Sequence, residues 1–274
     1  MASDRKDCTN HRDRKDRKAV SVVVTTRGSA ENLLNLMASM LPQLTPEDEV
    51  LLVVDPPTRD APSNMVREVA DEMARQLPSV RVLTDVESDG MTAYEQAIRT
   101  CKGPYVFLAE SGDIWMPDKI SSVLDAFAVS GSVLILHDIE LINPTRQVLA
   151  PSLFNLQENR SGFKESLFRN SYLGSSLAFL EPFKGFFLPF PPQVSRYEQW
   201  IGLIAGRFGG IALITKPLIG RVVAPENEAV LPSVNPREHR DERRSLLKAF
   251  KRREKELATL LRRIQQTYDK ESKG

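Results

Sequence analysis

The run Ala19–Thr25, AVSVVVT, narrows the possible folds more than any other stretch of this chain. It is rich in β-branched residues and too short for a helix. It opens directly onto Thr26-Arg27-Gly28-Ser29. A buried strand followed by a turn is the reading that fits. The pattern then repeats. Leu33, Leu34, Leu36, Met37, Met40 and Leu41 fall at helical spacing, with Ser29 placed as N-cap and Pro42 as the stop. Val50–Val54 reads as a second buried strand ending at Asp55, before Pro56-Pro57. A helix is expected over 63–76, a strand over Val80–Leu83, a helix over Met91–Cys101 and a strand over Tyr105–Leu108. This alternation is the signature of a parallel sheet with crossover helices, so the expected class is α/β.

That class says where a ligand goes. In open α/β sheets it binds beyond the carboxyl ends of the strands. The rule selects Thr25–Gly28, Asp55, Thr84–Gly90 and Glu110–Asp113. The second half is less regular. Ser132–Leu136 reads as a strand running into His137-Asp138, Tyr197–Arg207 as a helix and Ile211–Ile214 as a strand. From Pro236 the chain turns into a charged helix with Leu246, Leu247, Phe250, Leu257, Leu260, Leu261, Ile264 and Tyr268 along one side. The expected divisions are therefore a disordered segment 1–18, a first half 19–130, a second half 131–235 and a helical tail 236–274. Residues 1–18 alternate Asp with Arg and Lys and hold almost nothing apolar, so the body is expected to fold without them.

Composition bounds the function. Both ends carry an excess of Lys and Arg and the body between them is acidic, while the net charge is only +1. That gives no global reason to expect nucleic acid as a partner. The two cysteines, Cys8 and Cys101, suit a reducing cytoplasm. No apolar segment follows the charged N-terminus as a signal peptide requires, and no apolar run reaches the ~18 residues of a membrane span. The expected location is cytoplasmic. The apolar side of the tail helix is expected to be covered by the body, by a second subunit through self-association, or by peripheral contact with anionic lipid at the inner face of a membrane.

At Glu110-Ser111-Gly112-Asp113-Ile114-Trp115-Met116-Pro117-Asp118-Lys119-Ile120 the chain resembles family-2 glycosyltransferases of the GT-A fold, and most of all their rhamnosyltransferase-type branch. That group carries an acidic D-x-D-D-like cluster followed by I-W-x-P-x-K. Ser21–Ser29 resembles its nucleotide loop, and Val53-Val54-Asp55 its second strand. Tyr197-Glu198-Gln199-Trp200-Ile201 resembles its [HE]-D-W-W-I segment, and Lys216-Pro217-Leu218-Ile219 with Arg221 its P-L-I-x-Y-R segment. The likeness covers roughly residues 19–230. There are departures: Glu110 and Gly112 stand where the family has the two aspartates of D-x-D, and Glu95 stands at the place of a helix-borne Asn.

The resemblance implies inverting transfer of a sugar, of hexosyl or deoxyhexosyl type, from a nucleotide-diphosphate donor to a glycan or lipid-linked acceptor in cell-surface polysaccharide synthesis. Glu198 matches the general base that takes the acceptor's hydroxyl proton. Asp113, with Glu110, matches the ligands of a Mg²⁺ or Mn²⁺ ion facing the diphosphate. Thr26, Arg27, Asp55, Asp89, Gly90, Glu110 and Ser111 would line the donor site: Asp55 by accepting from the base or ribose, Arg27 by matching phosphate oxygens. The eroded acidic cluster keeps a second reading open, a non-catalytic GT-A-like protein that binds nucleotide or glycan. A nucleotidyltransferase fits less well, because no Gly-rich phosphate loop with a basic residue follows the first strand.

Overall fold

The computed structural model describes residues 17–26, 29–54, 64–84, 91–157, 173–194, 196–223 and 240–271. The first half follows the alternation expected of it: β1 (Val20–Thr25), α1 (Ala30–Met40), β2 (Glu49–Val54), α2 (Asn64–Gln76), β3 (Val80–Thr84), α3 (Met91–Thr100) and β4 (Tyr105–Glu110). The second half contains β5 (Asp113–Trp115), α4 (Lys119–Ser130), β6 (Leu134–Ile142), β7 (Val148–Ala150), α5 (Leu153–Gln157), β8 (Leu177–Leu180), α6 (Lys184–Phe187), α7 (Tyr197–Phe208), β9 (Ile211–Val222) and α8 (Arg240–Glu271).

One sheet runs through both halves in the order β3-β2-β1-β4-β8-β6-β9-β5, with β7 beside β6. β1 pairs in parallel with β2 and β4, β2 with β3, and β6 with β9. β8 enters antiparallel between β4 and β6, and β5 closes the far edge antiparallel to β9. Six of the nine strands among the described residues therefore run one way.

The continuous apolar runs exist because both faces of the central strands are covered. Val22, Val24, Leu52 and Phe107 point to the face packed by α1, α2 and α4. Val23, Leu51, Val106 and Leu108 point to the face packed by α3, α7 and the start of α8. Each fully buried Val or Leu of this kind contributes roughly 1.5–3 kcal/mol. The local signals behave as their chemistry demands. Ser29 caps α1 by accepting from the Asn32 amide at 3.2 Å. Gly131 ends α4 in the left-handed conformation, φ 63°, where a side chain is strained.

Three expectations are corrected. β6 does not stop before His137-Asp138: it continues to Ile142 with both residues buried inside it, and it shifts register there. β9 likewise runs on through Lys216-Pro217 to Val222. Arg17 falls in the segment expected to be disordered, yet it ion-pairs with the wholly buried Asp48 and donates to the Gln43 carbonyl at 3.1 Å. Residues 1–16 lie outside the described residues.

The tail helix packs on the body. Leu246, Ala249 and Phe250 join the core that holds Phe187 and Trp200, and Leu257 is buried too. Arg253 donates to the carbonyls of Phe186 at 2.7 Å, Gly185 at 2.8 Å and Leu188 at 2.6 Å, and Arg207 bonds Glu254 at 2.8 Å. The side chains of Leu261 and Ile264 lie outside what the structure describes. Among the described residues no helix is long and apolar enough to cross a membrane.

Candidate functional site

The parallel strands deliver their carboxyl ends to one edge of the sheet. Thr26 extends β1 there, donating its amide to the Val53 carbonyl at 3.1 Å and its hydroxyl to the same oxygen at 3.0 Å. Ser111, buried just past β4, donates its amide to the Thr25 carbonyl at 3.0 Å. These two residues and Glu110 therefore sit side by side, as the strand-end rule requires. Arg27, Asp55, Asp89 and Gly90 lie outside the described residues.

Asp113 does not begin a helix. It opens β5, and α4 starts only at Lys119, after Asp118. The β5–β9 ladder places Asp113 opposite Arg221. There Arg221 Nε donates to Asp113 Oδ1 at 2.6 Å, Nη1 reaches Glu110 Oε2 at 2.9 Å, and Nη2 donates to Ser175 Oγ at 2.9 Å. The second oxygen of Asp113 accepts from the Glu110 amide at 3.3 Å. Below this cluster the buried amine of Lys119 donates to the Ser175 carbonyl at 2.9 Å and lies 4.2 Å from the centre of the Trp115 ring.

Burial governs the electrostatics of the cluster. It pushes the Asp113 carboxyl up, against the pull of Arg221. It works against the charge of Arg221 as well, but Asp113 and Glu110 hold the guanidinium above its usual value. It brings the Lys119 amine down to about 7, with Asp113 opposing and Arg221 adding to the shift.

Glu198 arrives from the other side. It is half-buried in the first turn of α7, where an acidic side chain complements the helix dipole. Its neighbour Tyr197 packs against Tyr94 of α3 with ring centres 4.3 Å apart. It also packs on Gly174, where an added Cβ would lie 2.5 Å from the Tyr197 hydroxyl, so only glycine admits the ring. Tyr94 joins the two sides: burial raises its phenol's pKa, and Tyr197, Glu110 and Glu198 raise it further. Ser175, next to Gly174, accepts from Arg221, so the strand-end cluster and the Glu198 turn meet at one short segment.

Other residues raised by the sequence are occupied elsewhere. Asp138 is buried and accepts from the amides of Ile139 at 2.7 Å and Phe154 at 2.9 Å, and from the Ser152 hydroxyl. Glu95 bonds Arg99 and accepts from the Phe190 amide at 2.9 Å. Trp115 and Trp200 are core residues. Sequence reasoning gave no role to Arg221, Lys119 or Tyr94. Arg221 is 108 positions from Asp113, and its only signal was the P-L-I segment before it.

Comparison with known proteins agrees with this fold. The model of the family "Glycosyltransferase like family 2" matches residues 17–172, more than half of the chain. An uncharacterized glycosyltransferase of Nostoc sp. is 22% identical over 125 residues, 45% of this chain and 37% of that relative. Two solved structures share the fold. The 1–349 fragment of S. aureus TarS in complex with UDP-GlcNAc superposes with a TM-score of 0.58 at 16% identity, covering 83% of this chain and 65% of that one. The mannosyltransferase PcManGT from Pyrobaculum calidifontis, in complex with GDP-Man and Mn²⁺, gives 0.54 at 16% identity, covering 77% and 58%. The chain thus spans about a third of the curated relative and less than two thirds of either solved chain.

Proposed function

The chain belongs to the glycosyltransferase-like family 2, and on that footing we propose that it moves a sugar from a nucleotide-diphosphate donor to a hydroxyl of a glycan or lipid-linked acceptor, with inversion. The observation that carries this reading is the Gly174-Ser175 pair, where the ring of Tyr197, the neighbour of Glu198, packs on one residue and Arg221 of the acidic cluster bonds the next. Thr26, Glu110 and Ser111 form the described edge of the donor site, and Arg27, Asp55, Asp89 and Gly90 complete it. The UDP-GlcNAc held by TarS and the GDP-Man held by PcManGT support a donor of this class.

Glu198 takes the proton of the acceptor hydroxyl. The acceptor oxygen bonds to the anomeric carbon as that carbon's bond to the diphosphate oxygen breaks, and the nucleoside diphosphate leaves. Asp138, spent on three hydrogen bonds within β6 and α5, is a poor alternative base. A divalent ion on Asp113 and Glu110 asks for carboxylate oxygens that face the donor. Here both carboxylates are engaged by Arg221, and Asp113 is wholly buried, so the residues present do not fit such an ion. No step is routed through one.

The site works at the inner face of a membrane or in the cytoplasm. The exposed Arg252 and Lys255 of α8 supply the contact to anionic lipid. The test is release of nucleoside diphosphate from UDP-, GDP- and dTDP-sugars offered with extracted glycans and lipid-linked acceptors. Release that requires acceptor supports transfer. Donor binding with no release under any pairing favours the binding-protein reading, which Gly112 in the acidic cluster motivates.

A further inference from the structure

We propose that the guanidinium of Arg221, held between Glu110, Asp113 and Ser175, stands where a divalent cation would and meets the donor's diphosphate, so that donor binding needs no metal ion. The inference rests on the donor reading above and concerns how that same site handles charge.

The ligand count comes first. An oxygen-preferring ion takes six or more donors and favours ionised carboxylates. Gly112 offers no side chain, and a Cβ built there would meet nothing within 4 Å. Asp113 has no exposed surface; one oxygen takes Arg221 Nε at 2.6 Å and the other the Glu110 amide at 3.3 Å. Glu110 holds Arg221 Nη1 at 2.9 Å. Among the described residues no three His, Cys, Asp or Glu side chains converge on a metal-sized point.

The charge balance agrees. The two carboxylates face the fixed charge of Arg221, with the buried amine of Lys119 close by, so the cluster as a whole is not the dianion that attracts a divalent ion. Arg221 cannot relieve the conflict by losing a proton. An ion seated on the same oxygens would sit at contact distance from a fixed positive charge.

The guanidinium is also well placed for the work. Its strand is locked by the Asp113–Arg221 register and by the Val222 amide donating to the Gly112 carbonyl at 3.2 Å. Its side chain keeps 21% of its surface, and that of Glu110 keeps 25%, while Asp113 keeps none. An incoming diphosphate therefore meets the Arg221–Glu110 edge. A planar fork of N–H donors matches phosphate oxygens and is already oriented by three partners.

Calorimetry with UDP, GDP and dTDP, each in EDTA and in MnCl₂, tests this on the full chain. For the nucleotide that binds, the two dissociation constants are expected to agree within about threefold. Tightening by Mn²⁺ beyond that factor overturns the inference and leaves the donor reading intact. No binding of UDP, GDP or dTDP in either buffer overturns both. Arg221→Gln is expected to weaken binding in EDTA at least about tenfold. Should that variant fail to fold, Glu110→Gln decides, since the amide is isosteric. Releasing Arg221 and removing a negative charge from the edge that meets the diphosphate is expected to tighten nucleotide binding in EDTA, and weaker binding there overturns the inference. A loss of affinity in MnCl₂ on the same change marks Glu110 as a metal ligand and overturns the inference.

Discussion

The strands on the two sides of β4 are stabilised in different ways. In β1 to β4 the side chains facing both helical layers are almost all aliphatic, and Asp48, in the loop before β2, is the one buried charged side chain of that half among the described residues. From β5 onward the interior holds Asp113, Lys119 and Asp138, with His137, Ser175 and Ser176 beside them. The first half is held by area removed from water, which depends little on geometry or pH. The second half is held by hydrogen bonds and ion pairs that must be complete, because a buried polar group without a partner is costly. The proposed site residues Glu198, Glu110 and Arg221 lie in or against the second kind of interior. Packing alone would have filled it with leucine, so its polarity is consistent with the site proposed there.

This contrast can be broken in order of expected effect. Glu198→Gln should lower turnover by about 10²–10⁴-fold while donor affinity and melting temperature stay near wild type, as loss of a general base does. Steady-state rates beside calorimetry check it, and wild-type turnover would place the base elsewhere. Leu51→Ala, in the aliphatic half and with no exposed surface, should cost about 3 kcal/mol of stability with the same m-value, the usual cavity penalty. Denaturant unfolding measures it. A loss under about 1 kcal/mol would mean that this half can collapse around the gap.

Arg17→Ala probes the exception in the aliphatic half. Asp48 keeps its bonds from the Val20 and Thr45 amides, both at 2.7 Å, but loses its cationic partner. A loss of about 2 kcal/mol is expected. A truncation starting at Ala19 should then melt lower than one starting at Arg17, and equal melting would return Arg17 to the disordered segment.

The smallest effect is a pH effect. Burial, with Lys119 adding to it, holds the His137 imidazole well below its usual pKa, against the Asp138 carbonyl. The unfolded chain takes up a proton near pH 6.5 and the fold does not, so stability is intact above that value and falls as pH drops through it. Between pH 7.5 and 5.5 the wild type should lose about 1 kcal/mol more than His137→Gln. Parallel pH–stability curves for the two proteins would show that the ring is not held neutral.

The sequence was legible where one physical rule decided the outcome. Ala19–Thr25 could only be a doubly covered strand, and the Leu33–Leu41 periodicity could only be a helix. The strand-end rule placed Thr26, Glu110 and Ser111 at one edge. It was opaque where tertiary pairing overrode local preference. His137-Asp138 and Lys216-Pro217 look like strand breakers, but β6 and β9 absorb them by shifting register opposite one another, with Asp138 against Pro217. Arg221 was invisible as a partner of Asp113 because only the β5–β9 ladder brings two such distant positions together. The apolar side of the tail helix was clear, but what covers it depended on a surface that no local pattern describes.

That tail carries a consequence for descent. Phe250 and Leu246 share one core with Phe187 and Trp200, and Arg253 closes three carbonyls of the segment between Gly185 and Leu188. A lineage cannot shed this helix as it would shed an appendage. Losing it would strip an aromatic core and orphan three backbone acceptors at once, so the loss is open only to relatives that have already rewritten residues 185–208 in polar or self-capping form. Shortened relatives should therefore differ in that segment first, and chimaeras that exchange tails without it should fail to fold.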